Sequence, residues 1–144
     1  MLIFYKTVDK SVLNEGLTIP VIYKDMLFEI LGLRLAHGEK TEINVIIDGD
    51  TYKATLINID FDQKAHPNHK DLVQIRYSSN SPLAEKIHER FRYTVTLIQE
   101  NINQYKHKWI TSLPEAQKEF LAIYSTDRHG VILFDCITNS DFPP

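Results

Sequence analysis

Between Lys64 and Arg76 the chain gathers hydrogen-bond donors of several kinds: Lys64 and Lys70, His66 and His69, Gln74 and Arg76. Ammonium and imidazolium groups hold phosphates, whereas the planar forks of Arg and Gln address guanine and adenine edges in the major groove. This is the best local positive patch, and the alternative that composition alone favours is an ordinary polar edge loop. Other chemistries find less support. The five glycines are scattered and no serine stands between two of them, so nucleophile elbows and phosphate loops are missing, as is any His-Glu-x-x-His helix. Asp48, Asp50, Asp60 and Asp62 supply carboxylates, but no Glu-x-Lys follows them at strand spacing, and turn and loop roles suit them better than a nuclease metal cluster. His66-Pro67-Asn68-His69 spaces two imidazoles as some metal sites do, yet two histidines without a nearby Cys do not close a zinc site. No metal and no cofactor are expected. His88 reads as a surface or half-buried helix residue, and His37, His107 and His129 as loop surface. Cys136 reads as a small hydrophobe on a strand face beside Ile132 and Phe134.

The elements that must position these groups are mostly strands. Met1 to Thr7 predicts a first strand, followed by an exposed connection over Val8 to Gly16. Tyr23, Met26, Leu27 and Ile30 recur at helical spacing, with a stop at Gly32. Ile43, Val45 and Ile47 alternate, Asp48-Gly49 makes a hairpin turn, and Tyr52, Ala54 and Leu56 return along a second strand running on through Ile57 and Ile59 to Phe61. A solvated loop over Asp62 to Asp71 leads into a strand at Leu72 to Tyr77, with Val73, Ile75 and Tyr77 on one face and Gln74 and Arg76 on the other. Ser81 caps a helix that has Pro82 at its first position and Leu83, Ile87 and Phe91 as its apolar stripe. Tyr93 to Glu100 is rich in β-formers and predicts a strand, Asn101 to Ser112 is irregular, and Lys118 to Thr126 with Val131 to Thr138 closes as a hairpin.

At 144 residues the chain fits one domain, able to bury roughly 68% of the surface its unfolded form exposes. We read that domain as residues 1–138, with 139–144 a tail or the start of a linker. Sixteen basic against nineteen acidic residues leave a formal net charge of -3, so any attraction to nucleic acid must come from a local patch. A single cysteine excludes an intrachain disulfide framework and fits a reducing compartment. No apolar run approaches the ~20 residues of a membrane span, and Met1 to Tyr5 lacks the length and charged flank of a signal peptide. A cytoplasmic protein with no membrane partner is the expectation.

The stretch Leu72-Val73-Gln74-Ile75-Arg76-Tyr77-Ser78-Ser79-Asn80-Ser81-Pro82-Leu83 resembles the DNA-binding pseudobarrel domain found at the N-terminus of EcoRII-type restriction endonucleases and attached to other restriction nucleases, a relative of the plant B-three transcription-factor domain. In that family a basic strand ending in an aromatic residue runs through a short polar turn, often with Ser-Pro-Leu, into the second helix. Gly16-Leu17-Thr18-Ile19-Pro20 is similar to the entry of the family's first helix, and the hairpin around Glu119 to Thr126 shares its character. The resemblance implies an α+β, strand-rich fold: an open seven-stranded β pseudobarrel with two short helices. It also implies two arms entering the major groove of double-stranded DNA. One would be Val8 to Glu15, with Lys10, Ser11 and Asn14 as contacts; the other would be Asp62 to Arg76, continuing to Asn80.

Cutting would then belong to a nuclease domain or subunit, toward which the tail ending in Pro143-Pro144 would lead. Modified cytosine is one target within this reading. The arms depart from the family's charge by carrying Asp9, Glu15, Asp62 and Asp71. Two readings stand beside this one: a non-enzymatic protein-interaction domain, which the net negative charge favours, and a small hydrolase or nuclease.

Overall fold

A computed structural model describes residues 1–59, 72–101 and 118–139. The chain enters as β1 (Leu2–Thr7), turns through α1 (Lys10–Asn14) into β2 (Gly16–Thr18), and passes a 3₁₀ turn at Val21–Tyr23 into α2 (Lys24–Leu31). Next come β3 (Lys40–Ile47), β4 (Asp50–Asn58) and β5 (Val73–Arg76), then α3 (Pro82–Arg90) and α4 (Arg92–Asn101). The described part closes with β6 (Phe120–Ser125) and β7 (Val131–Ile137). The strands form one seven-stranded sheet in the order β1-β6-β7-β3-β4-β5-β2, curled into a half-barrel. All its neighbours are antiparallel except β3 and β7, so the sheet is mixed. This is the strand-rich α+β pseudobarrel that was expected.

Burial explains why each segment takes its place. In β3, β4 and β5 every second residue is buried: Ile43, Val45 and Ile47; Ala54 and Leu56; Val73 and Ile75. These side chains line the concave face and meet Leu27, Phe28 and Leu31 of α2 and Leu83 and Ile87 of α3 in one core. Phe28, Phe91 and Phe134 are its largest fully buried side chains, each adding roughly 1.5–3 kcal/mol of transfer free energy. The β3–β4 hairpin closes through Asp48 and Gly49, at φ 52° and 84°, the paired left-handed conformation that a two-residue turn needs to match strand twist. Ser81 caps α3 through its hydroxyl, which accepts from the Ala84 N–H at 3.2 Å.

Three expectations need correction. Val8 to Gly16 is not simply an exposed connection: α1 is capped by Asp9, whose carboxylate accepts from the Val12 N–H at 2.9 Å, and it buries Val12 and Leu13. Five residues are too few to show a helical period, so only the cap betrays it. Tyr93 to Glu100 is helix, not strand. Phe91 is buried and Val95 and Ile98 pack against the core, a spacing of four and three that one helix face satisfies and a strand would split between two faces. With α1 and α4 the described residues hold four α-helices, not two. Strand β4 ends at Asn58, although the Ile59 N–H still reaches Leu72 O at 2.8 Å; Phe61 lies outside the described residues.

Candidate nucleic-acid interface

Strands β2 and β5 pair antiparallel, with Gly16 opposite Arg76, Leu17 opposite Ile75 and Thr18 opposite Gln74. Because Ile75 and its neighbours Val73 and Tyr77 are buried, Gln74 and Arg76 project from the outer face, as their alternation predicted. On its other side Arg76 pairs with Thr55 of β4. Its guanidinium is exposed and forms no ion pair among the described residues. Gln74 donates from Nε2 to Thr18 Oγ1 at 3.1 Å, which fixes the carboxamide against β2.

Helix α1 is held at the Arg76 end of this strip. The buried Tyr77 hydroxyl donates to Val12 O, and the Tyr77 N–H donates to Glu15 O at 2.9 Å. Burial pushes the Tyr77 phenol well above its ordinary range, so it stays a neutral donor. Gly16 makes the close approach possible: its φ is 144°, and a Cβ there would stand 2.0 Å from Ile75 O and 2.9 Å from Arg76 Cα.

Two contiguous grooves follow from this arrangement. The first, about 150 Å³, is lined by Lys6, Asp9, Ser11, Glu15, Gly16, Leu17, Thr18, Gln74 and Arg76. The second runs past Asn14, Glu15, Thr55, Arg76, Tyr77, Ser78 and Ser79. Arg76 and Glu15 line both.

The structure therefore brings Ser11, Asn14, Gln74 and Arg76 to one surface. Asn14 is engaged there: its Oδ1 lies 2.9 Å from His88 Nε2 of α3, and its Nδ2 donates to Lys10 O at 3.1 Å. It fastens α1 to α3 more than it faces outward. Lys10 is exposed but is not among the lining residues of either groove, and neither is Asn80, which takes the Ser78 hydroxyl's hydrogen bond in the turn before α3. Lys64, His66, His69 and Lys70 lie outside the described residues.

Of the second expected arm, 62–71 lie outside the described residues and 72–80 are described. The segment after β4 rejoins at Leu72, beside the β5 end where Ile19 N–H reaches Val73 O at 2.8 Å, whereas α1 stands at the opposite end beside Arg76 and Tyr77. Helix α1 and the point where the described chain resumes at Leu72 thus flank the two ends of the β2–β5 strip.

Sequence reading missed Lys6, Thr18 and Thr55 as groove residues, since only strand register places them there, and it missed Tyr77 as the pin for α1. Asp48 is committed elsewhere: Arg90 and Lys86 of α3 both bond it, and the Arg90 guanidinium foremost holds its carboxyl below the usual carboxylate range. The Cys136 thiol is half-buried, and burial pushes it up to about 12, which leaves it protonated near neutral pH and a poor nucleophile. Comparison with family models, curated proteins and solved structures finds no match to this chain.

Proposed function

We propose that the chain is a double-stranded DNA recognition module of a restriction-type system, reading the major groove with the β2–β5 strip and α1, while a nuclease domain or subunit does the cutting. The observation that carries this reading is the exposed Arg76 guanidinium beside Gln74 and Ser11, on rigid strand backbone, with no carboxylate paired to it among the described residues. A planar fork held on a strand suits base edges. Lys64, His66, His69 and Lys70 belong to the same reading as phosphate contacts, in the segment that leads into β5. Among the described residues no helix is long and apolar enough to cross a membrane; a cytoplasmic location accords with a DNA partner.

Binding to duplex DNA is expected to fall steeply with salt, with a slope of log affinity against log salt of about -3.5 to -5.5 for roughly four to six phosphate contacts. Arg76→Ala is expected to cost about 1 to 3 kcal/mol on a preferred site and little on random duplex. Fluorescence anisotropy at several salt concentrations, beside a melting curve of the variant, checks both. A slope near zero would favour the protein-interaction reading, and a lowered melting temperature with unchanged sequence preference would assign Arg76 to structure instead.

One observation favours the protein-interaction reading. Val21 and Ile22, in the 3₁₀ turn before α2, are 67% and 79% exposed, an apolar pair on the surface of the half-barrel.

A further inference from the structure

Glu15 is the feature of the groove that a phosphate-binding surface does not explain. Its carboxylate would repel a DNA backbone, yet it lines both grooves together with Arg76. The two opposite charges sit on fixed backbone. Glu15 N–H bonds Ser11 O at 2.8 Å, Glu15 O accepts from Tyr77, and Arg76 is paired on both sides by Gly16 and Thr55. They nonetheless form no ion pair with each other. The other groove carboxylate, Asp9, is occupied as the cap of α1. The lining shared by the two grooves thus offers one planar donor fork, Arg76, and one carboxylate acceptor, Glu15, while Lys6 and Asp9 line the first groove alone.

The major-groove edge of a G·C pair complements that combination. Guanine presents two adjacent acceptors, N7 and O6, which match the guanidinium fork, and cytosine presents the N4 amino donor, which a carboxylate accepts. An A·T pair fits worse: adenine sets its N6 amino donor beside N7, so one arm of the fork would face a donor. A phosphate would satisfy Arg76 and leave Glu15 in repulsion. We infer that Arg76 and Glu15 together read one G·C base pair, Arg76 on guanine and Glu15 on the cytosine amino group. The inference rests on the DNA reading above and adds the identity of the base pair. It also gives the acidic residue of the first arm a role in specificity and makes the N4 position of cytosine the place where a modification would be sensed.

The test is selection of duplexes from a random library by the intact chain, followed by titration of the selected duplex, the same duplex with each G·C pair changed in turn to A·T, and one carrying N4-methylcytosine at the pair read. At one position the parent is expected to prefer G·C by about 5- to 150-fold and to bind the N4-methylated duplex more weakly. Glu15→Ala, which removes both the charge and the acceptor, is expected to lose most of that preference while binding random duplex more tightly, because a charge repelling phosphates is gone. Arg76→Lys keeps the charge but not the fork, so the salt slope should stay and the guanine preference should fall. Glu15 is exposed, and melting curves of both variants verify that the fold is kept. Parent selection without a G·C position, or a preference that survives Glu15→Ala, overturns the base-pair assignment while leaving DNA binding in place. Failure of the parent to bind any duplex at low salt overturns both.

Discussion

Gly16→Ala is expected to destabilise the chain by at least about 3 kcal/mol. The cause is steric. At φ 144° an alanine is strained by its own backbone, and its Cβ would lie 2.0 Å from Ile75 O and 2.9 Å from Arg76 Cα. Both are backbone atoms of a strand hydrogen-bonded to β4 as well as to β2, so they cannot swing aside as a flexible side chain could. The relief left to the structure is to part β2 from β5, which would also shift Glu15 and the end of α1. Urea denaturation followed by circular dichroism should show a lower midpoint with an unchanged slope. A variant within about 1 kcal/mol of the parent would mean that β2 does not approach β5 as closely as described.

The second large effect is expected at Glu119, only 2% exposed. One carboxylate oxygen accepts from both the N–H and the hydroxyl of Thr94, each at 2.9 Å; the other accepts from the Asn139 N–H at 2.9 Å. Thr94 lies in the first turn of α4, where the helix dipole also favours a negative charge. The residue's own carbonyl accepts from Val8 N–H at 2.9 Å. The buried carboxylate therefore joins the start of α4 to the chain beyond β7, while the backbone of the same residue holds the end of β1. Glu119→Ala strands three buried or half-buried donors and opens a cavity, for an expected loss of about 3 to 5 kcal/mol. Glu119→Gln keeps the shape and the acceptor for Thr94 but sets an amide N–H₂ against Asn139, for a loss of about 1 to 2 kcal/mol. Thermal and chemical denaturation of the pair would show this ordering; equal small losses would contradict the bridging role.

What the sequence revealed and what it hid divide along physical lines. Local signals were legible. Asp48-Gly49 marked the hairpin, Ser81-Pro82 marked the start of α3, and the alternation from Val73 to Tyr77 placed Gln74 and Arg76 on the outer face. Non-local decisions were not. The run Thr94-Val95-Thr96-Leu97-Ile98 favours a strand by propensity, yet tertiary context overrides it: Phe91, Val95 and Ile98 find a core to pack on, and Glu119 caps the first turn. Helix α1 is fixed by Tyr77, sixty-five positions from Val12, a contact that no local pattern announces. The candidate site shows the same split. Arg76 and Gln74 were found from their own strand, but their neighbours Thr18, Thr55 and Lys6 depend on register and on the curl that brings β1 near β2.

In the proposed function, duplex DNA sits on the β2–β5 strip. The most direct test of that placement is backbone amide mapping by NMR as an isotope-labelled chain is titrated with a selected duplex. The largest shifts are expected at residues 10–18 and 73–79, with the Arg76 side-chain signal among them, and little change at Val21 and Ile22. Shifts confined to Val21, Ile22 and α2, or none anywhere at low salt, would contradict it.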